Sequence, residues 1–236
     1  MGQNPVVDQI LTDYETLEPG QSDSWNPVGS KFQLGYRLSL FYALARALQQ
    51  VEPPLADLRV LDLGCGNGRS TRMYLDMGLQ PQQVRGLDLR PGALGLARKL
   101  NPAIQWDLHD GEDLPSGHNW LSTTTVFSSV AGLESRQAIA ARIRESLPSG
   151  GYVFYFDARR ANPFAGGDRI DPRLLFADFS LVWGRRLGRF SGMPMGDRLQ
   201  GLMATRLQGD GTRASLREMA SDALTPSNEV LLLRKT

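Results

Sequence analysis

Val60-Leu61-Asp62-Leu63-Gly64-Cys65-Gly66-Asn67-Gly68 is the stretch on which the reading of this chain turns. An apolar run carries an acid and opens into three glycines spaced two apart, and a helix-compatible stretch follows from Arg69. This is the pattern of a strand, a tight loop and a helix N-terminus. Glycines without a Cβ permit positive φ and let the backbone approach a ligand closely. A helix start presents N–H groups that favour polar or anionic ligand groups.

The rest of the chain extends that unit into a repeating alternation. Strands are expected at 58–63, 84–89, 104–108, 121–127 and 152–157, with helices at 69–77, 91–100 and 136–147 between them. Pro91 sits at a helix start, where its missing N–H costs nothing. Gly78 and Pro148-Ser149-Gly150-Gly151 stop the helices before them. Strand–helix alternation predicts an α/β fold with a doubly wound, mostly parallel sheet and helices on both faces. Right-handed crossovers then bring the strand C-termini to one edge. Upstream, Leu34, Leu38, Phe41, Tyr42, Ala45 and Leu48 recur at spacings of three and four and predict an amphipathic helix over 30–50, with Ser30 as its N-cap. Residues 1–54 therefore read as an N-terminal helical segment that folds over the site as a lid, and residues 55–236 as the main domain. Within that domain, 159–228 read as substrate-side insertions, with strands at 181–183 and 230–233.

Composition excludes several classes. The net charge is +1 over 236 residues, and no strongly basic face or appended RNA-binding module points to nucleic acid. Residues 1–150 hold 13 basic and 16 acidic side chains, and residues 151–236 hold 13 and 9. That asymmetry suits an anionic substrate near the C-terminal part, or merely a solvated surface. The one cysteine, Cys65, forbids an internal disulfide and fits a reducing, cytoplasmic setting. Residues 1–10 lack the features of a signal peptide, and no apolar run approaches the roughly 18 residues of a membrane span. No metal ligands are assigned.

Asp88 lies 20 residues beyond Gly68, at the end of the second strand. An acid there accepts hydrogen bonds from ribose hydroxyls in doubly wound sheets. Together with the glycine loop it leaves nicotinamide, flavin or S-adenosylmethionine as the cofactor. The dinucleotide fingerprint would place its last glycine at position 69, which is Arg69. Asp62 beside the loop suits a cofactor ammonium group and would repel a pyrophosphate.

At these residues the chain resembles the class I S-adenosylmethionine-dependent methyltransferases. Val60–Gly68 matches their first motif and Gly86-Leu-Asp-Leu89 their second. His109-Asp-Gly-Glu-Asp-Leu-Pro115 is similar to the segment after the third strand, and Arg144-Glu-Ser-Leu-Pro-Ser-Gly-Gly-Tyr152 to the turn into the fifth. The resemblance covers about residues 55–160. It implies a Rossmann-like sheet of about seven strands, the last one antiparallel between the fifth and sixth. It implies S-adenosyl-L-methionine as cofactor and S-adenosyl-L-homocysteine as product. By the same resemblance Asp62, Gly64 and Gly66 hold the methionine end, with Gly64 and Cys65 acting through their backbone. Asp88 binds the ribose, Leu89 packs on the adenine, and Asp110 binds its amino group, with Gly111 and Glu112 adjoining. The segment 124–128, including Ser128, closes over the methionine and sulfonium.

The chain departs from many relatives after the fourth strand, where Phe127-Ser128-Ser129-Val130 offers no histidine. Methyl transfer depends largely on positioning and desolvation, so a base is dispensable for many acceptors. Asp157, ending the fifth strand, is the candidate base, weighed against a turn or cap role. His109 and Tyr155 read as structural, and His118 as solvent-facing. The run Tyr155-Phe-Asp-Ala-Arg-Arg-Ala-Asn-Pro163 resembles small bacterial methyltransferases of glycan or secondary-metabolite assembly, which makes Arg159 and Asn162 acceptor contacts. Tyr14 and Arg37 are candidates to touch the cofactor's carboxylate or the acceptor. The leading reading is O- or N-methylation of a small-molecule or glycan acceptor. The alternatives are an NAD-linked oxidoreductase and a non-catalytic cofactor-binding scaffold.

Overall fold

The sheet runs in the order β3-β2-β1-β4-β5-β7-β6. Its strands are β1 (Val60–Leu63), β2 (Val84–Asp88), β3 (Gln105–Leu108), β4 (Trp120–Thr124), β5 (Tyr152–Ala158), β6 (Phe179–Leu187) and β7 (Asn228–Lys235). The helices are α1 (Lys31–Leu48), α2 (Met73–Asp76), α3 (Pro91–Leu100), α4 (Leu133–Ser146) and α5 (Pro172–Leu175). The computed structural model describes residues 11–12, 31–161, 167–187 and 228–236. β1 to β5 pair in parallel, and β7 runs antiparallel to both β5 and β6. The expected doubly wound sheet, with its last strand reversed between the fifth and sixth, is what forms.

Two cores sandwich the sheet. Period-two alternation along β5 feeds both: Tyr152, Phe154 and Phe156 join the cluster under α1, α2 and α3, whereas Val153 and Tyr155 join the one under α4 and α5. Trp120 fills the first core, stacking on Phe154 at 5.9 Å and donating its indole N–H to the Tyr74 hydroxyl at 2.7 Å. Tyr155 packs against Phe127 and Phe176 in the second, in keeping with its structural reading.

Three expectations need correction. α1 forms where its periodicity placed it, but the face it buries carries Leu40, Ala43, Leu44 and Ala47, while Leu34, Phe41 and Tyr42 stay exposed. The helix has apolar residues on more than one face, and the small Ala43 and Ala47 allow the closer approach to the sheet. The helix expected at 69–77 shrinks to Met73–Asp76. Residues 70–75 are joined by i→i+3 backbone bonds, because the Ser70 and Thr71 hydroxyls are drawn onto Asp62. His118 is buried rather than solvent-facing, packed at 3.3 Å from Ser146 Oγ at the end of α4.

Candidate functional site

The glycine loop leaves β1 at the carboxyl edge of the sheet. Gly64 has φ +70°, and a Cβ there would lie 2.7 Å from Val126 of the loop after β4. Gly68 has φ +75°, and its Cβ would lie 2.4 Å from the Trp106 ring. Trp106 also fills the space over Gly86, where a Cβ would approach it to 2.5 Å. Gly68 and Gly86 thus form a slot for the indole, a packing role that sequence spacing alone does not reveal.

The N–H groups of Cys65, Gly66 and Gly68 are engaged within the protein. Cys65 N–H donates to Leu87 O at 2.9 Å, and Cys65 O accepts from Gly68 N–H at 3.0 Å. The main chain of Cys65, expected to face the cofactor, also ties the loop to β2. Its buried thiol is pushed well above the ordinary range, by burial first and by Asp62 second, which removes it as a nucleophile. Because the following helix starts only at Met73, its N-terminus does not abut the loop.

Asp62 is wholly buried. Its Oδ2 accepts from Thr71 Oγ1 at 2.6 Å and Ser70 Oγ at 3.4 Å, whereas Oδ1 has no hydrogen-bond partner. Burial raises its pKa to about 6, against the lowering effect of the Thr71, Ser122 and Ser70 hydroxyls. A buried carboxylate oxygen without a donor is costly, and an ammonium group would relieve it.

Asp88 ends β2 and is 5 % exposed. Its Oδ2 accepts from Gly66 N–H at 2.7 Å, tying the loop to the second strand. Its Oδ1 accepts from the N–H and Nε of Arg90 at 2.9 and 3.1 Å. A Cβ on Gly66 would lie 3.1 Å from Arg90 Nη2, so this guanidinium lies across the loop. Sequence reasoning overlooked Arg90.

Beyond β3, His109 shapes its own turn. Its Nδ1 accepts from Gly111 N–H at 2.9 Å, and its Nε2 lies 2.9 Å from Asp113 O, which fits the neutral Nε2–H tautomer. Asp110 Oδ1 accepts from Glu112 N–H at 3.0 Å, and its carboxylate is about half exposed. Glu112 pairs with Arg142 at 3.6 Å.

The loop after β4 carries backbone strain. Thr125 has φ +58°, the one non-glycine residue with positive φ among those described. Its carbonyl accepts from Ser129 Oγ at 3.2 Å and Ser128 Oγ at 3.4 Å. Asp157, wholly buried at the end of β5, holds this loop. Its Oδ2 accepts from Phe127 N–H at 2.7 Å and Ser128 N–H at 3.3 Å, and its Oδ1 from Ala158 N–H at 2.8 Å. Burial raises its pKa to about 6, against these bonds. Its environment is that of an acid capping a turn.

Arg37 of α1 faces the segment after the glycine loop. Its pKa is lowered by burial and then by Arg72, and that of Arg69 by burial, Arg37 and Arg72. The charges of Arg37, Arg69 and Arg72 therefore act on one another, following the loop in the chain and across from α1. Arg69 and Arg72 were missed as site residues, although an arginine directly after the last glycine was a usable signal. Arg159 lies just past β5, with Arg159 O accepting from Ile170 N–H at 3.0 Å. Tyr14 and Asn162 lie outside the described residues.

Residues 60–151 match a family model described as a methyltransferase domain. The chain is 31 % identical to a demethylmenaquinone methyltransferase of Renibacterium salmoninarum over 96 residues, 40 % of this chain and 39 % of that protein. The match thus spans well under half of that relative's length. Among solved structures, the chain resembles a magnesium protoporphyrin IX methyltransferase of Synechocystis with a TM-score of 0.65, at 14 % identity, over 99 % of this chain and 100 % of that one. It also resembles the N-methyltransferase NodS of Bradyrhizobium japonicum with a TM-score of 0.63, at 12 % identity, over 96 % and 98 % of the two chains. The first was solved with S-adenosylmethionine and the second with S-adenosyl-L-homocysteine. The motifs, the sheet order and the methyltransferase-domain match over residues 60–151 together support a class I S-adenosylmethionine-dependent methyltransferase.

Proposed function

We propose that this protein transfers a methyl group from S-adenosylmethionine to the oxygen or nitrogen of a small-molecule or glycan acceptor in a biosynthetic step. One observation carries the reading most: the buried, donorless Oδ1 of Asp62 beside a glycine loop whose next strand ends in Asp88. An ammonium group is the partner Asp62 lacks, and a ribose diol would meet Asp88 in exchange for part of its hold on Arg90.

When bound, the cofactor supplies a methyl group on a positively charged sulfur. The protein's contribution is placement and exclusion of water. Asp62 holds the ammonium end beside Gly64 and Gly66. Arg37, with Arg69 close by, holds the carboxylate. Asp88 accepts from the ribose hydroxyls once Arg90 yields part of its hold. Leu89 covers the adenine face, and Asp110 takes the adenine amino group, with Gly111 and Glu112 shaping the turn. Ser128 and the strained Thr125 close over the reacting end. Asp157 fixes that loop through the N–H groups of Phe127 and Ser128, so its part is positioning rather than proton removal.

In this reading the acceptor approaches over the ends of β4 and β5 and is met by Arg159, Tyr14 and Asn162. The basic excess of residues 151–236, 13 against 9, favours an acceptor bearing negative charge. The single cysteine supports a cytoplasmic setting; no helix among the described residues is long and apolar enough to cross a membrane. Native mass spectrometry of the purified protein, followed by an acceptor screen reading S-adenosyl-L-homocysteine formation, tests the reading. Co-purifying cofactor and turnover with an O- or N-nucleophile are expected; turnover with none of a broad panel would leave a binding scaffold.

A further inference from the structure

Arg136 sits one turn into α4 and is 2 % exposed. Its Nε donates to Val130 O at 2.9 Å, but its Nη2 is buried with no hydrogen-bond partner, and the residue makes no ion pair among those described. A buried guanidinium without an anion is unfavourable unless something supplies the charge. The side chain lines a cleft of about 170 Å³ between the start of α4 and the segment through α5. At about 30 Å³ per water, the cleft has room for a small organic molecule.

The lining defines the chemistry. Ile170 and Leu175 are buried apolar walls, while Leu133 and Leu174 stand exposed at the rim, 47 % and 57 %. The nearby Asp171 does not neutralise Arg136. It is occupied by Arg173, whose Nη2 and Nε donate to it at 2.6 and 2.9 Å, and by its cap of the Arg173 N–H. Asp168 and Arg169 sit exposed at the mouth with opposite charges. One buried cation with unused donor capacity, under aliphatic walls, matches a carboxylate on an apolar body. A phosphate would call for several converging donors.

We propose that this cleft binds a small amphipathic carboxylate, with the carboxylate on Arg136 and the apolar body between Leu133 and Leu174. Arg136 is anchored on Val130, next to the turn that Asp157 holds, so the cleft adjoins the carboxyl edge of the sheet. The carboxylate belongs either to the methyl acceptor itself or to a separate organic acid.

The test is an NMR titration of the full chain with hexanoate and, in parallel, hexanol. Hexanoate is expected to shift the Arg136 Nε–H and the Leu133 and Leu174 methyls saturably, and hexanol is not. Leu174→Glu places a like charge at an exposed rim without disturbing the core, and should weaken hexanoate about tenfold or more. Equal responses to hexanoate and hexanol, or an unchanged Leu174→Glu affinity, would overturn the proposal. If hexanoate raises the KM of the acceptor, the acceptor carries the carboxylate. If hexanoate binds with that KM unmoved, a separate acid does. Because binding is read without turnover, failure of the methyl-transfer reading leaves this result interpretable.

Discussion

If Asp62 holds the cofactor's ammonium group, affinity must follow the ionisation of Asp62. Its carboxyl is pushed up to about 6 by burial, so it is mostly ionised at pH 7 and mostly protonated at pH 5. When only the carboxylate binds the ammonium, the apparent dissociation constant scales as 1 + 10^(pKa−pH), a weakening of about tenfold between pH 7 and pH 5. The ammonium and carboxylate of S-adenosylhomocysteine both keep their charge across that interval. The sign of the folding linkage separates this effect from acid unfolding. The folded pKa of Asp62 lies above its unfolded value of about 3.9. Its contribution to stability is therefore fully present at low pH and declines as pH rises through about 6. Acidification to pH 5 favours the fold through this group while it weakens the ligand. Calorimetric titration of S-adenosylhomocysteine from pH 5 to 8, on wild type and Asp62→Asn, reads the effect. The wild-type affinity should fall tenfold at the acid end. The variant should bind about 10- to 100-fold more weakly at pH 7, from a lost charge-assisted bond of about 1.5–3 kcal/mol, with a flat pH profile. A flat wild-type profile, or an Asp62→Asn profile with the same slope, would show that another group meets the ammonium.

Three further outcomes are expected. Asp157→Asn puts an amide N–H₂ against backbone donors and should cost about 2–3 kcal/mol of stability in urea unfolding. It should lower kcat while the acidic limb of the pH–rate profile survives; loss of that limb would make Asp157 the base after all. Gly68→Ala meets the Trp106 ring at 2.4 Å from a positive φ. The backbone penalty and the overpacking together should destabilise by about 2–5 kcal/mol, and a cost below about 0.5 kcal/mol would refute the indole slot. Burial holds His118 down at about 4. Its folded pKa is below the unfolded value of about 6.5, so stability present above pH 6.5 is lost as pH falls toward 4. His118→Gln should remove about 1–2 kcal/mol of acid sensitivity at pH 5, and an unaltered stability–pH curve would contradict the burial.

The parts of the fold that were legible in the sequence are those fixed by local chemistry. Pro91 starts α3 because its ring suits the first helical position, and α3 ends at Leu100 as expected. The alternation in Tyr152–Phe156 placed Tyr155 opposite Phe154, and the two cores divide along that line. The glycine spacing and the acids Asp62 and Asp88 marked the site. Tertiary effects were not legible. The helix after the loop is cut short by hydroxyls reaching back to Asp62, a contact between residues 8 and 9 apart that periodicity does not register. α1 carries apolar residues on two faces, and only the sheet decides that Ala43 and Leu44, rather than Phe41 and Tyr42, go inward. His118 follows Gly117, a turn signal, yet the end of α4 covers it. Asp157 sits at a strand end where a base or a cap looks the same in sequence. The N–H groups of Phe127, Ser128 and Ala158, which weigh towards the cap, come into view only in the fold. The burial of Arg136 in α4 has no counterpart in its local sequence.

The most direct test of the central claim is calorimetric titration of the wild-type protein and Asp88→Ala with S-adenosylhomocysteine and with NAD. The wild type should bind S-adenosylhomocysteine and not NAD. Asp88→Ala should bind it at least about tenfold more weakly, through loss of ribose hydrogen bonds worth about 1.5–3 kcal/mol. Binding of NAD without S-adenosylhomocysteine, or an Asp88→Ala affinity equal to the wild type, would contradict the account.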